Sequence, residues 1–151
     1  MLDDILKTQH SFAKKATSHP EHRFENVYHL LKREDWLNVA LDAVLDNVGA
    51  RTGGVDGVTR QDFKREGYRE RFIADLKTRL ATGHYQPQPV RREYIPKANG
   101  KLRPLGIPTL RDRVVQMALK MLLEPIYESD FLDCSTGFRP QRRTMDAIAC
   151  L

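Results

Sequence analysis

Five cations fall within thirteen residues of this chain: Arg91, Arg92, Lys97, Lys101 and Arg103, with Glu93 as the one acid among them. Lysine offers a compact point charge and arginine a planar two-pronged donor, so Lys97 and Arg103 suit the oxygens of a triphosphate. Arg91, Arg92 and Lys101 suit the phosphates of a nucleic-acid strand. Arg111 and Arg113 follow in what reads as the first turn of a helix, where unpaired backbone N–H groups already favour an anion; pairing with Asp112, Glu124 or Glu128 is the alternative. Arg139, Arg142 and Arg143 form a second basic group beside Phe138, a surface on which a base can stack. The window from Arg91 to Arg113 carries a net +5, as much as the whole chain of 151 residues. The field is therefore local and points to a nucleic acid or nucleotide, with a merely solvated charged ribbon as the competing reading.

Bond-making chemistry is not evident beside this binding chemistry. The histidines (His10, His19, His22, His29, His84) have no ligand spacing, and Pro20 separates His19 from His22. Asp130 and Asp133 are three apart but have no further acidic partner, so they read as solvated caps. No nucleophile–base arrangement and no Gly-x-x-x-x-Gly-Lys loop occurs.

The elements that must position these cations follow from local signals. Asn99-Gly100 between the runs VRREYIPK and KLRPLGIP is a hairpin signal. A two-residue loop would leave Lys97 and Arg103 on opposite faces. A three-residue loop, with Gly100 left-handed, pairs Lys97 with Lys101 and Ile95 with Arg103, which puts Lys97, Lys101 and Arg103 on one face. The second register is expected, because three stacked cations imply an anion over them. Pro96 and Pro104 restrict both strands to a sheet edge.

Helical periods surround the hairpin. Leu2 to Ala16 reads as a weakly amphipathic, loosely attached helix, and Phe24 to Lys32 as a second. Asp35 is expected to cap a third, with Trp36, Val39, Ala40, Ala43, Val44 and Val48 on its buried stripe. Gly49, Gly53, Gly54 and Gly57 then crowd a loop that either approaches a nucleic-acid strand or simply connects two helices. Helix resumes from Gln61 to Leu80, interrupted at Gly67, with Phe72, Ile73, Leu76 and Leu80 inside. Thr109 and Asp112 resemble a capping box for a helix buried on most sides that stops near Pro125. A final helix starts at Thr144 and is still apolar at Ala147, Ile148 and Leu151, where the sequence stops as if cut.

The composition, 40% hydrophobic and 30% charged, is that of a soluble domain. Cys134 and Cys150 imply free thiols in a reducing compartment. No apolar run reaches the roughly 18 residues of a membrane span, and the N-terminus lacks the pattern of a signal peptide. A cytoplasmic protein with no membrane partner is expected.

The blocks PVRREYIPKANGKLRPLGIPTLRDRVVQMALKMLLEPIYESDF and STGFRPQRRTMDA resemble the fingers region of bacterial group II intron reverse transcriptases, the intron-encoded maturases. GGVDGVT and the helix before it resemble those enzymes' N-terminal extension. Gln141 and Met145 depart from the family pattern, which has Gly and often His there. The resemblance implies an α+β fold, mostly helical with a basic β-hairpin or small antiparallel sheet, the fingers part of a right-hand polymerase. It implies an N-terminal helical extension over 1–58, including a Gly-rich template lid at Gly53-Gly54, and fingers over 59–151, cut before the palm. Lys97 and Arg103 then match the residues that grip the incoming nucleotide, and the other cations line the template path or hold intron RNA. The parent activity it implies is RNA-directed DNA synthesis with Mg2+ on palm carboxylates, serving intron splicing and retrohoming. Its partners would be RNA, a deoxynucleotide triphosphate and a DNA primer, with a homodimer left open. The Tyr-x-Asp-Asp tetrapeptide of that palm is absent, so this segment is expected to have no catalytic residue, no metal and no polymerisation of its own. A freestanding RNA-binding protein, or a relative serving phage defence or CRISPR adaptation, is the alternative.

Overall fold

Trp36 marks where the helices meet. Its ring is fully buried, and its indole N–H donates to the Ala118 carbonyl at 3.1 Å. The computed structural model describes residues 2–149, so the expectations for Cys150 and Leu151 lie outside the described residues. Five helices are described, α1 (Leu2–Ser18), α2 (Glu34–Asp46), α3 (Tyr68–Ala81), α4 (Leu110–Tyr127) and α5 (Thr144–Ala149). Two antiparallel strands, β1 (Arg91–Pro96) and β2 (Leu102–Ile107), stand between α3 and α4. The class is the α+β one expected, helical with one small antiparallel sheet.

The core is built where α2 crosses α4, with α1 and α3 packed alongside. Phe72, Ile73, Leu76 and Leu80 of α3 are buried as their spacing predicts. The stripe on α2 is Trp36, Leu37, Ala40, Leu41 and Val44. Val48, expected on that stripe, is 74% exposed, because the helix ends at Asp46 and a 3-10 turn (Val48–Arg51) redirects the chain. Arg33 is the N-cap of α2 in place of Asp35, whose carboxylate accepts from the Trp36 N–H and the Arg33 guanidinium. The Phe24–Lys32 helix is a 3-10 turn (Val27–Lys32) entered through left-handed Asn26. The segment before Gly67 holds a 3-10 turn (Asp62–Lys64), with α3 starting only after it.

Pro125 explains two further departures. It lies inside α4, which runs two residues past it, and its missing N–H leaves the Met121 carbonyl without the usual helical donor. Gln9 of α1 supplies one, its side-chain amide donating to Met121 O at 2.8 Å. With Ile5 only 1% exposed, α1 is thus fastened to α4 and not loosely attached. α4 itself is buried on one side through Leu110, Val114, Val115, Ala118 and Leu122, while Leu119 and Leu123 stay open to solvent. Apolar length alone overstated its burial.

Candidate nucleic-acid interface

The hairpin extends from this body with nearly every residue exposed. Ile95 faces Arg103 and Pro96 faces Leu102. Beyond them the Lys97 N–H donates to the Lys101 carbonyl at 2.7 Å, and the Gly100 N–H to the Lys97 carbonyl at 3.0 Å. Gly100 is left-handed (φ 78). This is the three-residue register, so Lys97, Lys101 and Arg103 share a face. Among the described residues none of the three makes an ion pair. Alternation of the ladder places Pro96 and Pro104 in non-hydrogen-bonded pairs, where a missing N–H costs no bond. Arg91 lies on the cationic face at its foot and reaches Glu93 at 3.4 Å. Arg92 is on the opposite face, with Tyr94, Leu102 and the two prolines.

The other cations are placed differently from one another. Arg111 reaches back to α3, pairing with Asp75 at 2.8 Å above the ring of Phe72; Asp75 was not among the acids expected. Arg113 makes no ion pair among the described residues. Its guanidinium donates to three backbone carbonyls, Gly49 at 2.7 Å, Thr52 at 2.8 Å and Pro108 at 2.9 and 3.0 Å. Arg139 is also enclosed, its side chain 8% exposed, held by Glu128 at 2.7 Å and by the Leu132 and Ser135 carbonyls. Arg142 reaches Asp133 at 3.4 Å. Arg143 is exposed, and Phe138 beside this group is fully solvent-facing.

Gly53 and Gly54 are buried against the chain itself. A Cβ on Gly54 would stand 2.7 Å from Thr109 Cα and 2.9 Å from the Pro108 carbonyl carbon, and one on Gly53 would stand 2.7 Å from the Gly57 carbonyl carbon. The loop between residues 50 and 60 is closed at its neck by the Arg60 N–H donating to Ala50 O at 2.8 Å. Glycine is required here by contact with the start of α4, a constraint that the count of glycines does not reveal.

The same joint holds a polar knot. Thr109 caps α4, accepting from the Asp112 N–H at 3.1 Å and donating its hydroxyl to the Asp112 carboxylate at 2.6 Å. That carboxylate also accepts from the Tyr85 hydroxyl and from the Gln88 N–H. It fills the N-terminal end of the helix where an external anion was expected, and it ties down the segment that leads into β1. Burial first, and then the hydrogen bond to Asp112, push the Tyr85 phenol well above the usual tyrosine range. An unfolded tyrosine ionises near pH 10 (about the ordinary value), where the folded phenol still holds its proton. Stability is therefore whole below that pH and is lost as pH rises above it. Burial raises Tyr68 as well, so Tyr85→Phe is expected to shrink the alkaline fall in melting temperature without abolishing it. Thermal melts from about pH 8 to about pH 11 check this; an undiminished fall in the variant contradicts it.

Among the described residues no three of His, Cys, Asp and Glu gather into a metal-binding group. No described helix is long and apolar enough to cross a membrane.

No protein-family model matches the chain. It is 47% identical over 144 residues to Protein YkfC of Escherichia coli (strain K12), covering 95% of this chain and 37% of that protein. It is 41% identical over 137 residues to the group II intron-encoded protein LtrA of Lactococcus lactis subsp. cremoris, covering 90% of this chain and 22% of that protein. Maturase-like protein 1 of Euglena gracilis is 29% identical over 140 residues, 89% of this chain and 29% of that protein. The chain thus spans well under half the length of the curated relatives it matches.

Proposed function

This chain is a relative of the group II intron-encoded proteins across about nine-tenths of its length, and from that kinship we propose that it is the fingers portion of an RNA-directed DNA polymerase and maturase. In this reading Lys97 and Arg103 hold the phosphates of an incoming nucleotide. Lys101, Arg91 and, from the opposite face, Arg92 contact RNA phosphates, and the Gly53-Gly54 loop lies beside the template. Arg143 faces solvent near Phe138 and contributes a second, weaker RNA contact, while the enclosed Arg139 and the paired Arg142 shape that region. Intron RNA is the natural partner. The Tyr-x-Asp-Asp tetrapeptide does not occur in the 151 residues, so the reading assigns this chain binding and not bond-making; Mg2+ and the primer belong with the palm carboxylates of the complete enzyme.

One observation carries the reading: three cations stand together on a projecting two-stranded ribbon, directly opposite or two residues apart, and the acid on that face, Glu93, pairs with Arg91 and not with them. Like charges placed about 5 Å apart across a ladder repel, and a bound polyanion offsets that cost. The test is binding of a single-stranded RNA oligonucleotide to the purified chain over a salt series. The logarithm of the association constant is expected to fall with the logarithm of salt at a slope of about −2 or steeper, roughly 0.7 per phosphate neutralised. Nucleoside triphosphate should compete, and no nucleotide should be incorporated. Binding that ignores salt contradicts the reading.

A further inference from the structure

The Gly-rich loop and the foot of the hairpin belong to segments well separated in sequence, yet one side chain touches both. Arg113 leaves the first turn of α4 and forks. Nε and Nη2 donate to the Pro108 carbonyl just past the end of β2, while Nη1 donates to the Gly49 carbonyl and Nη2 also to the Thr52 carbonyl at the entrance to the loop. Four of its five N–H groups are engaged in this way. Beside it Gly54 lies against Thr109 and Pro108 too closely for a side chain to intervene, so loop and helix start meet backbone to backbone there. Burial lowers the pKa of Arg113 from its ordinary value, and the charges it senses are Asp56 in the loop and Arg91 at the hairpin's foot. Loop, hairpin and helix thus converge on this one guanidinium.

We propose that Arg113 is a positioning residue that clamps the Gly53-Gly54 loop to the base of the cationic hairpin, so that the two parts facing RNA keep a fixed spacing and move as one body. The proposal rests on the RNA-binding reading above and replaces the direct phosphate contact that the sequence suggests for Arg113. Its geometry demands arginine. A lysine carries the same charge, but its single ammonium cannot fork to carbonyls on both sides of the joint. A phosphate ligand, by contrast, would tolerate lysine.

The two roles separate in Arg113→Lys and Arg113→Gln. Binding of a single-stranded RNA oligonucleotide is measured over a salt series, and amide hydrogen exchange is followed across residues 49–57 in the RNA-free chain. For a clamp, both variants weaken binding by about tenfold, in proportion to the loss of the binding-competent arrangement. Their salt slopes stay parallel to the wild type, and the loop amides exchange faster while those of α2 do not. Wild-type affinity in the lysine variant, with about 0.7 of slope lost in the glutamine variant, would make Arg113 a phosphate contact and overturn the clamp. Unchanged loop exchange in both variants also overturns it. If the glutamine variant does not fold, the lysine variant decides alone: weaker binding at an unchanged slope with faster loop exchange supports the clamp, and wild-type behaviour refutes it. A wild-type chain that binds no RNA sinks the function proposed above, and the exchange measurement then judges the clamp separately.

Discussion

Gly54→Ala is expected to destabilise the folded chain by about 3 kcal/mol, at the upper end of what overpacking a tight contact costs. The added methyl would stand 2.7 Å from Thr109 Cα and 2.8 Å from Thr109 N. Both are backbone atoms of a capped helix start that is itself held by Asp112 and Arg113, so no flexible side chain can yield. Either the loop lifts away from α4, losing the Arg113 bonds, or the start of α4 shifts and strains the Thr109–Asp112 knot. Two other glycines calibrate the result. A Cβ on Gly137 meets nothing within 4 Å, so Gly137→Ala should stay within about 0.5 kcal/mol of wild type. Gly100 also has open space but sits at φ 78, and alanine there should cost about 1–2 kcal/mol from backbone conformation alone. Urea unfolding of the three variants measures the series. A Gly54→Ala chain as stable as the Gly137→Ala chain would show that the loop does not rest on the helix.

Where local rules decide, the sequence was readable. The register of the hairpin follows from Asn99-Gly100 and the left-handed glycine, a choice made within five residues. The buried face of α3 follows from its period, and the capping pair Thr109–Asp112 from its spacing. Where a distant partner decides, it was not. Nothing near Pro125 says that Gln9 will satisfy the carbonyl the proline leaves bare, so α1 read as loose. Nothing near Arg113 says that its partners are carbonyls rather than phosphates. An arginine in a basic window looks the same in sequence whether its fork points outward or closes on the chain's own backbone, and charge counting cannot separate the two. The candidate site divides accordingly. Lys97, Lys101 and Arg103 could be grouped from the strand period alone, whereas Arg111 and Arg139 proved to be held by Asp75 and Glu128, acids remote in the chain. The glycines of the loop were visible as unusual, but what approaches them is Thr109 and Gly57.

The account stands or falls on whether the three cations of the exposed ribbon hold phosphate together. The direct measurement compares wild type with Lys97→Gln/Lys101→Gln/Arg103→Gln in RNA binding over a salt series, with Arg92→Gln from the opposite face as the reference. Glutamine is polar and uncharged, and the three positions are exposed, so the fold should be untouched. At about 0.1 M salt the triple variant is expected to bind about a hundredfold more weakly, with a slope shallower by about 2, while Arg92→Gln loses about 0.7 of slope at most. A triple variant that keeps wild-type affinity and slope would contradict the account.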